Sequence, residues 1–144
     1  MAQQRSADVV WEGNLARGRG TIQGGTGVLR DLEITQPTRF GDADGHTSPE
    51  ELVAAALAGC FAMYLSGVLT KADSPPERLE ARAVVTLHTV DGAPRITTID
   101  LSVVGQVPGI DDETFQAAAR EAEQGCPVSN VLNAEIRLDA RLAT

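Results

Sequence analysis

SPEELVAAALAGCFAMYLSGVLTK, residues 48–71, is the stretch that decides how this chain folds. Ser48 is a helix cap, Pro49 suits the first helical position, and Glu51 falls three residues after the cap, as a capping box requires. The spacing predicts a helix starting at the Ser48 cap and running to about Thr70. From Leu52 to Leu69 there is no charged residue, and a helix apolar all round belongs in an interior. The run brushes the length of a membrane span. Ala and Gly dominate it, however, its basic flank is the single Lys71, and alternating strand patterns lie on both sides. A buried helix of a soluble protein is the expectation, with small residues that permit close approach of a second helix.

Outward from this helix the pattern is mostly β. Asp8–Asn14 and Arg17–Gln23 read as a hairpin, Gly24, Gly25 and Gly27 punctuate a turn, and Val28–Ile34 reads as a third strand. Gln36–Thr47 reads as loop. Ser74-Pro75-Pro76 breaks the chain after the helix. Leu79–Val90 and Arg95–Val107 alternate as long strands, joined by Asp91-Gly92-Ala93-Pro94. Asp111 or Asp112 caps a second helix through Gln124, and Gly125 stops it. Cys126-Pro127 opens a short helix to about Asn133, and Ala134–Leu142 closes as a strand. With no internal repeat and no linker, residues 1–144 are expected to form one α+β domain.

Composition narrows the partners. Hydrophobic residues make up 42% of the 144 and charged residues 22%, a globular balance. Aromatics are only 3%, so a core of Val, Leu, Ile and Ala buries little area per residue, which favours an oligomer. The net charge of -8 disfavours nucleic acid, whose affinity comes largely from Lys and Arg. Met1–Val10 has no apolar core of a signal peptide, so the cytoplasm is expected. There a paired cysteine is more often catalytic, sensing or metal-binding than a permanent disulfide.

The chain has two cysteines. Cys60 sits mid-helix in Ala58-Gly59-Cys60-Phe61, where a thiol is either a small hydrophobe or, with Gly59 leaving space beside it, a reactive group. Cys126 starts a short helix in Gly125-Cys126-Pro127-Val128-Ser129, where free amides lower a thiol pKa; a capping or core role is equally open. Zinc needs four ligands at recognisable spacing, and Cys60, Cys126, His46 and His88 supply none, so no metal is expected. No G-x-S-x-G motif supports a serine nucleophile. Arg39 in its polar loop and Glu50 at the helix start read, by themselves, as a solvated charge and a carboxylate favouring the helix dipole.

Taken together, Arg39-Phe40, Ser48-Pro49-Glu50-Glu51-Leu52, Ala58-Gly59-Cys60-Phe61 and Gly125-Cys126-Pro127-Val128-Ser129-Asn130-Val131-Leu132 resemble the OsmC/Ohr family of organic hydroperoxide reductases. Trp11-Glu12-Gly13 and Arg17-Gly18-Arg19-Gly20 resemble its OsmC branch. The resemblance covers nearly the whole chain. It implies an α+β fold with two curved antiparallel sheets around long central helices, in an intertwined homodimer with active sites at the subunit interface. It implies that Cys60 attacks the peroxide, Cys126 resolves, Arg39 stabilises the thiolate and Glu50 holds Arg39. It implies no cofactor, and a dithiol reductant, either a lipoylated protein or a small dithiol. The branch often carries His two or three residues before the cysteine, where this chain has Ala56-Leu57-Ala58, a change in pocket polarity.

Burial of Cys60 would raise its pKa and silence it, so a cation is needed, and a guanidinium stays charged when desolvated. Glu50 and Cys60 are ten residues apart, hence about 15 Å along a helix axis and roughly 80° apart in azimuth. At least one of Arg39 and Glu50 is therefore expected from the other subunit. Leu52, Ala56, Phe61, Met63 and Tyr64 are the expected apolar lining for an organic hydroperoxide. The rival expectation is a thiol redox sensor or binding module without fast turnover.

Overall fold

The computed structural model describes residues 1–143. In chain order the elements are β1 (Ala7–Glu12), β2 (Arg19–Gly24), β3 (Leu32–Ile34), α1 (Gln36–Phe40), α2 (Pro49–Lys71), β4 (Arg78–Val90), β5 (Ala93–Gln106), α3 (Asp112–Gly125), α4 (Pro127–Val131) and β6 (Glu135–Leu142). They gather into two compact units, Met1–Leu52 and the remainder from Val53, with the division falling inside α2.

The first unit is an antiparallel sheet in the order β1-β2-β3. β1 and β2 pair from Ala7↔Gly24 to Glu12↔Arg19. The third strand is shorter than its sequence pattern: Asp31 adopts a left-handed conformation, φ 51°, which no strand can continue. The Gln23 side chain holds the Asp31 amide there at 3.2 Å. Gln36–Phe40, expected as loop, is a helical turn instead. Thr35 caps it by accepting from the Thr38 amide at 3.2 Å, and Pro37 suits its first turn.

The second unit is a sheet in the order β4-β5-β6. The β4–β5 hairpin turns through Asp91 and Gly92, both at positive φ (51° and 78°), which matches the twist of the two strands it joins. β5 and β6 are parallel, so this sheet is mixed where an antiparallel one was expected. The reason is connectivity: α3 and α4 lie between the two strands, and a helical crossover returns the chain in the same direction. Asp111 caps α3 through the Thr114 amide at 2.8 Å. Ile99, Leu101 and Val103 alternate inward from β5, and Phe115, Ala119 and Ala122 line one face of α3.

α2 follows its predicted bounds closely. Ser48 Oγ accepts from the Glu51 amide at 3.1 Å, while the Glu51 carboxylate takes the Thr47 hydroxyl at 2.7 Å instead of reaching back to Ser48. Half of the capping box is therefore formed. The expectation that α2 is buried all round needs correction. Besides Glu50 at its start, the buried residues of α2 are Leu57, Phe61, Leu65 and Leu69, four apart and thus on one stripe, which join the core of the second unit. Ala55, Ala56, Gly59, Met63, Tyr64 and Gly67 are exposed. By length and composition the helix could cross a membrane (mean hydropathy 2.0), and 22% of that window is buried within the chain. One chain supplies one such long helix, so a single copy leaves most of its apolar surface uncovered.

Phe61 has no exposed area and belongs to the same core cluster as the β5 and α3 residues. Phe61→Ala should lower stability by about 3–5 kcal/mol, read as a lower midpoint in urea denaturation.

Candidate active site

Two pairs of side chains emerge, one in each unit. In the second unit, Cys60 projects from the middle of α2 and Cys126 sits between α3 and α4. Cys126 ends one helix and begins the next. Its amide donates to Ala122 O at 2.9 Å, its carbonyl accepts from the Asn130 amide at 3.1 Å, and its Sγ accepts from the Ser129 amide at 3.5 Å. Ser129 is anchored in turn by donating its hydroxyl to Glu123 at 2.9 Å. This backbone frame leaves the Cys126 sulfur little freedom. Its Sγ–H donates to Cys60 Sγ at 2.9 Å, and both cysteines are free thiols.

The two sulfurs differ in surroundings. Cys126 is fully buried and Cys60 only partly so, next to Gly59, which has no atom within 4 Å of the place a side chain would occupy. Burial pushes the Cys126 thiol pKa up, and donation to Cys60 adds to it, while the Ser129 and Val128 amides pull the other way. The lowering expected from a helix N-terminus is thus present but outweighed. A five-residue helix offers few amides, and desolvation opposes the thiolate.

In the first unit, Arg39 ends α1 and Glu50 opens α2. The guanidinium presents its Nε and Nη2 edge to the carboxylate, with Nη2 at 2.7 Å from Oε1 and Nε at 3.1 Å from both oxygens. This forked geometry fixes the plane of the guanidinium as well as its position. Glu50 is buried and Arg39 is not, with side-chain exposures of 10% and 37%. Among the described residues Nη1 has no hydrogen-bond partner. Arg39 also lies over Phe40, its Cζ 5.5 Å from the ring centroid. Beside it opens a mostly apolar cavity lined by Trp11, Leu15, Ile34, Phe40 and Pro49.

Each sequence-derived candidate therefore has a place. Cys60 meets Cys126, and Arg39 meets Glu50. His46 is held by Glu33 and the Asp44 carbonyl, both at 3.0 Å, and His88 is an exposed residue of β4. Among the described residues no three His, Cys, Asp or Glu cluster as metal ligands would. Of the expected lining, Phe61 is a core residue, Met63 and Tyr64 are exposed, and none of the five residues lines the Arg39 cavity. Trp11, Ile34 and Phe40 were not singled out as lining. The scarcity of aromatics was the available signal: this chain has one Trp and three Phe, and the Trp and one Phe stand at the Arg39 cavity.

The raised Cys126 pKa carries a stability consequence. Above the ordinary thiol range the unfolded chain loses a proton that the folded chain keeps, so stability is full below that range and falls as pH rises through the folded value. Urea denaturation across alkaline pH should show a shallower loss for Cys126→Ala than for the parent protein.

The family described as OsmC-like protein matches residues 41–141. Peroxiredoxin OsmC of Escherichia coli (strain K12) is 43% identical over 142 residues, covering 99% of each chain. The organic hydroperoxide resistance protein OhrB of Bacillus subtilis superposes with a TM-score of 0.74 at 30% identity, over 94% of this chain and 98% of that one. An organic hydroperoxide resistance protein from Elizabethkingia anophelis shares the fold with a TM-score of 0.76 at 24% identity, over 99% and 100% of the two chains. With both cysteine motifs, the helix that carries the first and a whole-length relative in agreement, the chain belongs to the OsmC family.

Proposed function

We propose that this protein is a thiol-dependent peroxidase that reduces organic hydroperoxides to alcohols. The observation that carries the reading is the 2.9 Å contact between a partly exposed Cys60 and a fully buried Cys126. The names of its relatives, a peroxiredoxin and an organic hydroperoxide resistance protein, support it.

The chemistry follows from the asymmetry of the pair. Cys60, the accessible sulfur, attacks as thiolate. Its electron pair forms an S–O bond to the terminal peroxide oxygen, the O–O bond breaks, and the alkoxide leaves as alcohol after taking a proton. Cys60 is then a sulfenic acid. Cys126 keeps its proton at neutral pH, so its S–H supports the Cys60 thiolate by hydrogen bonding before attack. Afterwards the Cys126 sulfur displaces the sulfenic oxygen as water and closes the disulfide, ahead of overoxidation. A dithiol, either small or carried on a lipoylated protein, restores both thiols. The apolar cavity at Arg39 suits the organic part of the substrate.

Arg39 supplies a cation for the thiolate, and its Nη1, without a partner among the described residues, is the donor left for it. α2 is one unbroken helix, so Glu50 and Cys60 stand about 15 Å apart along it. An Arg39 held at Glu50 therefore serves the thiols of a second copy. The exposed stripe of Ala55, Gly59, Met63 and Gly67, small at three of its four positions, is the surface on which two α2 helices meet. A bilayer is a poor alternative occupant, because the opposite stripe already packs on a sheet whose β4 exposes Arg78, Glu80 and Arg82. In the first unit Val9, Val10 and Trp11 of β1 are further exposed apolar residues, at 54%, 63% and 39%.

One equivalent of cumene hydroperoxide should yield a Cys60–Cys126 disulfide by mass spectrometry, with multiple turnovers once dithiol is supplied and slower turnover of hydrogen peroxide. Cys60→Ser should abolish consumption. A stable sulfinic acid on Cys60 of the parent protein would refute Cys126 as resolver, and a single turnover despite dithiol would favour a redox sensor. The shared site has its own test. Arg39→Ala and Cys60→Ser proteins, each inactive alone, should regain activity when unfolded and refolded together; no recovery would place Arg39 and Cys60 of one chain in the same site.

A further inference from the structure

Tyr64 lies four residues after Cys60 on α2, hence on the same face one turn later. Helical side chains lean toward the N-terminus, so its ring covers the turn that carries Cys60. At its far end the ring meets the other cysteine-bearing element. A side chain on Gly125 would place its Cβ 2.6 Å from both Cζ and the phenol oxygen of Tyr64, closer than real Cβ atoms approach anything. The residue before Cys126 has no side chain, and the Tyr64 ring occupies the space.

We propose that Tyr64 is a positioning residue for disulfide closure, its ring seating the Gly125–Cys126 turn against the Cys60 turn of α2. The proposal rests on the reading that Cys60 is oxidised and Cys126 resolves it. Apart from its contact with Cys60 and the apolar core they share, the frame around Cys126 is local. The Ala122 and Asn130 backbone bonds and the Ser129–Glu123 contact fix the sulfur relative to α3 and α4, not relative to α2. Tyr64 spans that gap. Attack on peroxide needs only Cys60 and its cation. Closure needs the Cys126 sulfur aligned with the Cys60 S–O bond, so that the S–S bond forms as hydroxide leaves with the Cys126 proton as water. Misalignment leaves the sulfenic acid open to a second peroxide, which transfers an oxygen to give sulfinic acid and a second alcohol. Tyr64 thus sets how often oxidation ends in a recyclable disulfide.

The test uses the full-length, pre-reduced protein and cumene hydroperoxide, with rapid quenching, dimedone to trap sulfenic acid, and intact-mass detection. Tyr64→Ala should consume the first equivalent of peroxide at the parent rate. It should close the disulfide about ten- to a hundredfold more slowly, the loss typical of a small misplacement of reacting groups. Dimedone adduct should accumulate, and excess peroxide should drive Cys60 to sulfinic acid in Tyr64→Ala but not in the parent. Tyr64→Phe, which keeps the ring, should close at the parent rate. Parent-like closure in Tyr64→Ala, an equal fall in peroxide consumption and closure, or a Tyr64→Phe variant that behaves as Tyr64→Ala would each overturn the proposal. If the parent forms no Cys60–Cys126 disulfide at all, the peroxidase reading fails and takes this one with it.

Discussion

An eighteen-residue stretch without a charge, Leu52–Leu69, sets the terms for this molecule. Its backbone satisfies itself as a helix, but its side chains have to be kept from water on every side. A three-stranded sheet and one amphipathic helix cover a single stripe of it, through Leu57, Phe61, Leu65 and Leu69. The remaining apolar surface is too large for one small acidic chain to enclose, since aromatics, which bury the most area per residue, are nearly absent. A second copy with the same unsatisfied stripe is the economical cover. On this view the oligomer is part of how the helix is buried rather than an addition to a finished monomer.

The same constraint shapes the chemistry. Cys60 sits partly buried in mid-helix, where the proposed mechanism needs a thiolate. In that mechanism two devices support it. Cys126 directs a proton at the Cys60 sulfur, and its own burial ensures that the proton stays. Arg39 brings a permanent positive charge, held in plane by the buried Glu50 carboxylate. The burial of Glu50 is itself tolerable because two guanidinium nitrogens meet both of its oxygens. Activation, resolution and dimerisation in the proposed mechanism thus stem from one placement, the reactive sulfur on an apolar helix that its own chain covers on one side.

Division of labour between the sulfurs follows from exposure. Cys60 lies where peroxide can arrive; Cys126 is closed off and pinned by helix ends on both sides. In the proposed mechanism burial shields Cys126 from peroxide, and its 2.9 Å contact with Cys60 lets it capture the sulfenic acid. Tyr64 adds the lateral fit between the two elements, so the pair depends on a third residue that carries no reactive group.

Much of this was legible in the residues alone. The Ser48 cap, Pro49 and the uncharged run marked α2, because capping and periodicity are local. The Asp91-Gly92 turn and the alternation on each side marked the long hairpin for the same reason. The two cysteine motifs marked the two sulfurs that meet in the fold. Non-local consequences were hidden. The parallel β5–β6 pairing depends on where a crossover lands, the shortened β3 on one left-handed Asp31, and the one-sided burial of α2 on how much sheet a single chain can supply. Fork geometry at Arg39, the raised pKa of Cys126 and the Tyr64–Gly125 contact belong to tertiary structure, because each depends on distances between residues far apart in sequence. Local chemistry is written residue by residue; desolvation, alignment and the need for a partner arise only when distant segments compete for the same space.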